Sequence, residues 1–395
     1  MKKVVLAFSG GLDTSCAVKW IQDKYGLEVI CYCAFIGEVK DKSLLRKKAM
    51  AGGAKKIYVE DLKAEFASDF LIPALWAHAR YEGGYPLATA LGRPMIAQHL
   101  VRCAEKEKAD YVAHGCTGKG NDQVRIEVGV RTLNPNLQII APLREWEFKT
   151  REEEIEYARE HKIPVDATKA SPYSIDKNIW GIAIEAGILE DAWREPPEDA
   201  YVMTRGLDKV PAKPRYVIVE FENGVPVKVD GKRMALVALI EHLNEVAGTY
   251  GVGRFDQIEN RLVGIKSREV YEAPAAHLLL TAHTELENLV MDREFLHYKK
   301  VLSEKYAEMV YYGLWFSPLK QALDSFFASN QKRVTGRIRL KLDRGHCTPV
   351  GRESKFSLYH EKLATYSKGD SFDREMAAGF LKLWGLPYEG MGAKK

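Results

Sequence analysis

Cysteine is scarce in this chain. Six residues, Cys16, Cys31, Cys33, Cys103, Cys116 and Cys347, are scattered over 395 positions, with no Cys-x-x-Cys pair and no histidine at metal-ligand spacing. That pattern offers no metal site and leaves buried, reduced thiols as the expectation. Long apolar runs are missing as well: no stretch approaches 18 uninterrupted apolar residues, and Lys2-Lys3 leads straight into a short strand rather than a signal-peptide core. The expectation is an unprocessed, cytoplasmic protein with no membrane partner. A block of Lys and Arg is absent too. The formal charge of +4 is spread along the chain, which helps recruit small anions but is not the footprint of a nucleic-acid binder. Finally, neither common phosphate loop is present, neither Gly-x-x-x-x-Gly-Lys followed by Ser or Thr nor Gly-x-Gly-x-x-Gly.

What is present is a globular composition, 46% hydrophobic and 28% charged, in a length that suits two domains. The densest chemistry comes first. An apolar run at 4–8 reads as a buried strand ending in Ala7 and Phe8, and residues 14–25 read as an amphipathic helix. Between them lies Ser9-Gly10-Gly11-Leu12-Asp13-Thr14-Ser15. Two glycines let backbone approach a ligand, and the free amides and positive dipole end of the helix point at it. The hydroxyls of Ser9, Thr14 and Ser15 add donors, and the Asp13 carboxylate suits a hydrated magnesium ion. The alternative is a plain helix cap after a glycine turn.

Strands at 28–35 and 57–59 alternate with helical pattern at 42–50, so the first part of the chain is expected to be α/β, a doubly wound and mainly parallel sheet. Ligands then bind at the carboxyl ends of its strands. Tyr81-Glu82-Gly83-Gly84-Tyr85-Pro86-Leu87-Ala88-Thr89 forms a shaped loop before a helix expected to start near Arg93-Pro94. After a strand at 110–113 comes His114-Gly115-Cys116-Thr117-Gly118-Lys119-Gly120-Asn121-Asp122-Gln123-Val124-Arg125, too polar and glycine-rich for an ordinary turn. A strand at 137–141 and a helix at 151–161, with Thr150 and Glu153 spaced as a capping box, complete the first domain near residue 165. Residues 171–181 show no clean period.

From residue 216 the pattern turns α+β. Asn223-Gly224 joins two strands in a hairpin; helices at 234–246, 276–292 and 295–312 follow, and strand-like alternation returns at 333–342. Residues 258–271 read as a charged surface hairpin. A final helix at 372–384 gathers Met376, Phe380, Leu381 and Trp384 on one face, which either packs on its own domain or docks on a neighbouring subunit.

The opening heptapeptide resembles the pyrophosphate loop of the N-type ATP pyrophosphatases. With the segments at 114–123, 171–176 (Ser-Pro-Tyr-Ser-Ile-Asp) and 259–271 (Glu-Asn-Arg-Leu-Val-Gly-Ile-Lys-Ser-Arg-Glu-Val-Tyr), the whole chain resembles the argininosuccinate synthase family. The resemblance implies a nucleotide domain at 1–165, a synthetase domain at 166–365 and a C-terminal helix at 366–395 that interlocks a homotetramer. It also implies a ligase that joins citrulline to aspartate through a citrullyl adenylate, consuming ATP with magnesium. By this resemblance the nucleotide meets Ala7, Phe8, Ser9, Gly10, Gly11, Leu12, Asp13, Thr14, Ser15, Ala34 and Gly115. Citrulline meets Tyr85, Thr89, Asn121, Arg125, Ser174, Ala183, Glu259 and Tyr271; aspartate meets Thr117, Asn121 and Asp122. Asp13 and Asp122 are the expected catalytic carboxylates, Asp122 either anchoring the aspartate amine or taking its proton.

The chain departs from the family pattern in three places. Phe35 stands where a polar residue is common, Glu38 where glutamine is, and Gly181-Ile182-Ala183 where Gly-Arg-Ser is. The loss of a guanidinium at Ile182 and a hydroxyl at Ala183 would weaken citrulline binding by about 1–3 kcal/mol if the partner polar group is left unpaired. Two rival readings follow: the same adenylation chemistry on another acceptor, or a nucleotide-binding regulator without turnover.

Overall fold

The computed structural model describes residues 2–37, 41–164 and 173–392. Glu38, the expected boundary at 165 and the Ser171-Pro172 part of the third motif lie outside the described residues.

Five short strands, β1 (Lys3–Ala7), β2 (Glu28–Phe35), β3 (Lys56–Asp61), β4 (Tyr111–Ala113) and β5 (Gln138–Ile140), form a parallel sheet in the order β3-β2-β1-β4-β5. The apolar run of β1 suits this position because both faces of the strand are covered. Val4 and Leu6 pack with Trp20 and Ile21 on one side, and Val5 packs with Leu100 and Val101 on the other. Gly26, left-handed at φ 63°, ends the helix Leu12–Tyr25. Thr150 and Glu153 close the expected capping box on the helix Arg151–Glu160. All six cysteines are free; four are buried and two partly so.

The rest of the described chain is built on two antiparallel sheets. Strands β6 (Ser174–Asn178), β7 (Gly181–Glu185), β11 (Arg254–Asn260) and β12 (Lys266–Glu272) stand in the order β11-β12-β7-β6. The other sheet has the order β10-β9-β8-β13-β14, from β8 (Arg215–Glu222), β9 (Val225–Val229), β10 (Lys232–Arg233), β13 (Gly336–Asp343) and β14 (His346–Glu353). The Asn223-Gly224 turn joins β8 to β9 with both residues at positive φ, as an Asn-Gly hairpin requires.

Four expectations change. The 171–181 stretch without a period holds β6 and the start of β7. The helix expected from Arg93 begins at Ala88 and carries Pro94 inside. Its early start has a local cause: the Thr89 amide, unpaired in an isolated helix end, donates to the Tyr85 hydroxyl at 2.8 Å. Leu91 and Met95 are fully buried around the proline, and that packing outweighs its poor helix propensity. The third change is the 258–271 hairpin, which is only partly on the surface, since Glu259, Glu269 and Tyr271 are all buried. Lastly, the helix Arg374–Gly392 is longer than expected and has no buried residue.

A polar network fixes the segment leading into the Tyr81–Tyr85 loop. His78, left-handed at φ 50°, meets His283 Nδ1 through its Nε2 at 2.8 Å. Glu287, one helical turn beyond His283, pairs with the buried Lys299 and accepts from Gln331 at 3.4 Å. Burial, reinforced by the Lys299 charge, holds both imidazoles well below their ordinary pKa, so they stay neutral. Lys299 is thus the network's cation. Lys299→Met should cost about 3–5 kcal/mol by leaving Glu287 buried and unpaired. Chemical unfolding measures this; a loss below about 1 kcal/mol would show that the network does not hold the segment.

Candidate active site

The sheet order reverses between β1 and β4, so the loops leaving those two strands open on one crevice. The first loop needs its glycine: Gly10 has φ +74°, and a Cβ there would stand 2.3 Å from Leu45 Cδ2. The second needs one as well, because a Cβ on Gly115 would stand 2.8 Å from Thr14 Cγ2. The two loops touch where residue 115 has no side chain. Ser9 Oγ and Thr14 Oγ1 lie 3.0 Å apart, and the Gly11 amide donates to Ser9 Oγ at 3.2 Å. Lys48, buried on the helix Lys42–Ala51, donates to the Gly10 carbonyl at 3.2 Å. Asp13 lies against Glu154, whose carboxyl is pushed up to about 8 by burial and by the Asp13 charge. Ser15 is buried, and its Oγ has no hydrogen-bond partner among the described residues.

A cavity of about 410 Å³ opens here. Ala7, Phe8, Ser9 and Thr14 line it from the first loop, Ala34 and Phe35 from the end of β2, and Gly115 and Thr117 from the second loop. Gly10, Gly11, Leu12, Asp13 and Ser15 shape the loop without lining the cavity. A smaller cavity of about 110 Å³ is walled in part by the same residues: Thr117, Gly120, Asp122, Asp176 and Glu185 line both. The smaller one brings together Tyr85, Thr89, Asn121, Arg125, Ala183, Glu259 and Tyr271. These are all the positions expected around citrulline except Ser174. Ser174 is exposed and lines neither cavity; on β6 it stands opposite Glu185, whereas Asp176, two residues on and opposite Ala183, reaches both. The hydroxyl expected at 174 therefore sits at the end of the strand, outside the cavity.

The polar groups are held in a tight frame. Asp122 accepts from Arg93 Nη2 at 2.7 Å through one oxygen and from Arg125 Nη1 at 2.9 Å through the other. Burial alone would raise its pKa; the two guanidinium groups outweigh burial and hold it at about 2. Arg125 spends its Nε on the Tyr311 carbonyl at 2.9 Å, which leaves Nη2 without an acceptor among the described residues. Asn121 is likewise engaged at both ends, donating to the Tyr311 hydroxyl at 2.8 Å and accepting from the Leu262 amide at 2.9 Å. Glu259 accepts from the hydroxyls of Tyr271 and Tyr311. Tyr85 stacks on Tyr271 at 3.8 Å between ring centres, and its hydroxyl lies 2.6 Å from Thr89 Oγ1. On the far wall Arg261 pairs with Glu185 at 2.7 Å and with Glu269. Burial and the Glu185 charge push the Glu269 carboxyl up to about 7, against the pull of Arg261.

Several of these residues escaped the sequence reading. Asp176, Arg261 and Glu269 lie inside motifs that were recognised, but no role had been given them. So does His114, whose buried ring accepts from the Cys116 amide at 3.2 Å and lies 3.1 Å from Glu127, fixing the start of the second loop. Arg93 stands out in the sequence only as an expected helix start, and Tyr311 sits in a plain helical run; neither carries a local signal for the site.

Comparison with known proteins follows the same division of the chain. A family model described as the arginosuccinate synthase N-terminal HUP domain matches residues 3–164, and one described as the arginosuccinate synthase C-terminal domain matches residues 173–391. The chain is 56% identical over 385 residues to the argininosuccinate synthase of Dictyoglomus thermophilum, covering 98% of this chain and 96% of that one. It is 56% identical over 386 residues to the argininosuccinate synthase of Bacillus subtilis, covering 98% and 95%. With the argininosuccinate synthase of Bacillus thuringiensis it shares 54% identity over 397 residues, covering 100% and 98%. By both its domain models and its full-length relatives, the chain belongs to the argininosuccinate synthase family.

Proposed function

We propose that the chain is an ATP-dependent ligase that condenses citrulline with aspartate to argininosuccinate, releasing AMP and pyrophosphate through a citrullyl adenylate. The observation that carries this reading is the meeting of two cavities along Asp122, one lined by the glycine loop and one by Arg125, Glu259 and Tyr85. ATP occupies the larger, with adenosine against Ala34 and Gly115, where lack of bulk matters, and the leaving pyrophosphate at the Ser9 to Thr14 end. Amides and hydroxyls there stabilise its growing charge.

Citrulline occupies the smaller cavity. Arg125 Nη2 reaches its carboxylate and Glu259 its amine, with Thr89 and the stacked Tyr85 and Tyr271 along the chain. Aspartate lies by Thr117 and Asp122. With its pKa held at about 2, Asp122 is an anchor for the aspartate ammonium rather than the base that deprotonates it. Asn121, already bonded at both ends, shapes this wall more than it contacts substrate. Magnesium accompanies ATP in this reading. The Asp13 carboxylate, beside the loop and against the Glu154 carboxyl, would hold a hydrated cation that neutralises pyrophosphate. Catalysis then rests on orientation and electrostatics, with no covalent nucleophile from the protein.

The exposed helix Arg374–Gly392, with Phe380 at 59% and Trp384 at 65% relative exposure, supports assembly into a homotetramer in which that face is covered.

Three outcomes are expected. Purified protein should release pyrophosphate from ATP over many turnovers only with citrulline and aspartate together, citrulline alone giving no more than one equivalent per site; release that is indifferent to citrulline would favour another acceptor, and none at all with ATP bound would favour a regulator. Ala183→Ser, which restores a hydroxyl to the smaller cavity, should lower KM for citrulline about five- to tenfold, the worth of one net hydrogen bond, with KM for ATP as the control. Removing residues 374–392 should reduce the solution mass, read by light scattering, from four chains to fewer; an unchanged mass would place the tetramer contact elsewhere.

A further inference from the structure

We infer that Arg93 is a catalytic residue of the adenylation step, donating from Nε or Nη1 to a non-bridging oxygen of the ATP α phosphate at the junction of the two cavities. The inference rests on the ligase reading above and deepens it. In that reading the ureido oxygen forms a bond to the α phosphorus while the bond from that phosphorus to the pyrophosphate oxygen breaks, and pyrophosphate leaves with the electron pair. The α phosphorus is the one atom joined to both reactants, so it must stand where the cavities meet. Charge accumulates on its outer oxygens as the step proceeds.

The junction is otherwise hostile to that charge. Of the five residues lining both cavities, Asp122, Asp176 and Glu185 are carboxylates. Glu185 is paired with Arg261 and one Asp122 oxygen with Arg125, which leaves Asp176 and the other Asp122 oxygen facing the phosphate. Arg93 answers both, because its Nη2 serves Asp122 at 2.7 Å and Asp176 at once. That economy leaves Nε and Nη1 without an acceptor among the described residues, on a side chain only 16% exposed that lines the larger cavity. An unused pair of guanidinium donors in so buried a place calls for an oxyanion. Among the described residues the other cations that line the cavities are less well placed, Arg261 being on the smaller one and held by Glu185 and Glu269. Arg125 lines only the smaller cavity, and Lys177 lines the larger from an exposed position on β6. Arg93 gains and loses no proton in this step; it matches charge that is greatest in the transition state.

A purely structural Arg93, holding Asp122 for aspartate, makes a different prediction, and the half-reactions separate the two. Exchange of labelled pyrophosphate into ATP with citrulline alone needs no aspartate. Arg93→Ala should slow this exchange about 100-fold or more, with ATP and citrulline dissociation constants within about threefold of wild type and partial rescue by guanidinium ion. Arg93→Lys, which keeps the charge but not the fork, should lie between. Should exchange in Arg93→Ala stay near the wild-type rate while only KM for aspartate rises, the inference is overturned. If the alanine variant does not fold, the lysine variant decides: with wild-type melting, a tenfold or greater loss of exchange supports the role and an undiminished rate overturns it. Absence of exchange in the wild type itself would instead sink the adenylation reading, and the Arg93 role with it.

Discussion

Asp122 is bound by two guanidinium groups that arrive from different elements, Arg93 on the helix Ala88–Glu107 and Arg125 on its own helix, Asp122–Leu133. Removing Asp122 would leave Arg125 buried without a carboxylate partner among the described residues, and removing either arginine would leave Asp122 with one cation instead of two, so the contact ties the two helices together at the crevice. Much of the site hangs from it. Arg125 reaches on to the Tyr311 backbone, the Tyr311 hydroxyl serves Asn121 and Glu259, and Glu259 holds Tyr271 against Tyr85. In this way the parallel sheet's ligand edge is joined to the antiparallel sheet that supplies the other half of the cavity.

That join explains why the two cavities meet. A parallel sheet in the order β3-β2-β1-β4-β5 provides an anion site at its switch point but nothing to accept the group transferred. The second sheet, through Ala183, Glu185, Glu259 and Tyr271, closes the opposite wall. The carboxylates and guanidinium groups along the boundary are nearly all paired with one another, so they are pre-oriented and need little rearrangement when substrates arrive.

The parts visible in the sequence are those whose cause is local. Val4 to Leu6 read as a buried strand because burial on both faces demands an unbroken apolar run, and Gly10 and Gly115 stand out because close backbone approach demands glycine. The Asn-Gly hairpin and the Thr150 cap are likewise decided within a few residues. What stayed hidden was made by distant contacts. Tyr311 acquires its role from Asn121, 190 positions away in sequence, and Arg93 from Asp176, 83 away. The strands β6 and β7 carry little alternation of their own and are held by cross-strand pairing, β6 to β7 and β7 to β12. Pro94 misled because a side-chain cap from Tyr85 and dense packing outweigh a breaker's local cost.

The central claim is that the acceptor's oxygen attacks the α phosphorus across the junction at Asp122. Citrulline labelled with oxygen-18 in its ureido group tests this directly, with mass analysis of the AMP formed during turnover with ATP and aspartate. The account predicts one labelled oxygen in each AMP, carried over when the aspartate amine displaces it. Unlabelled AMP, with argininosuccinate still formed, would contradict it.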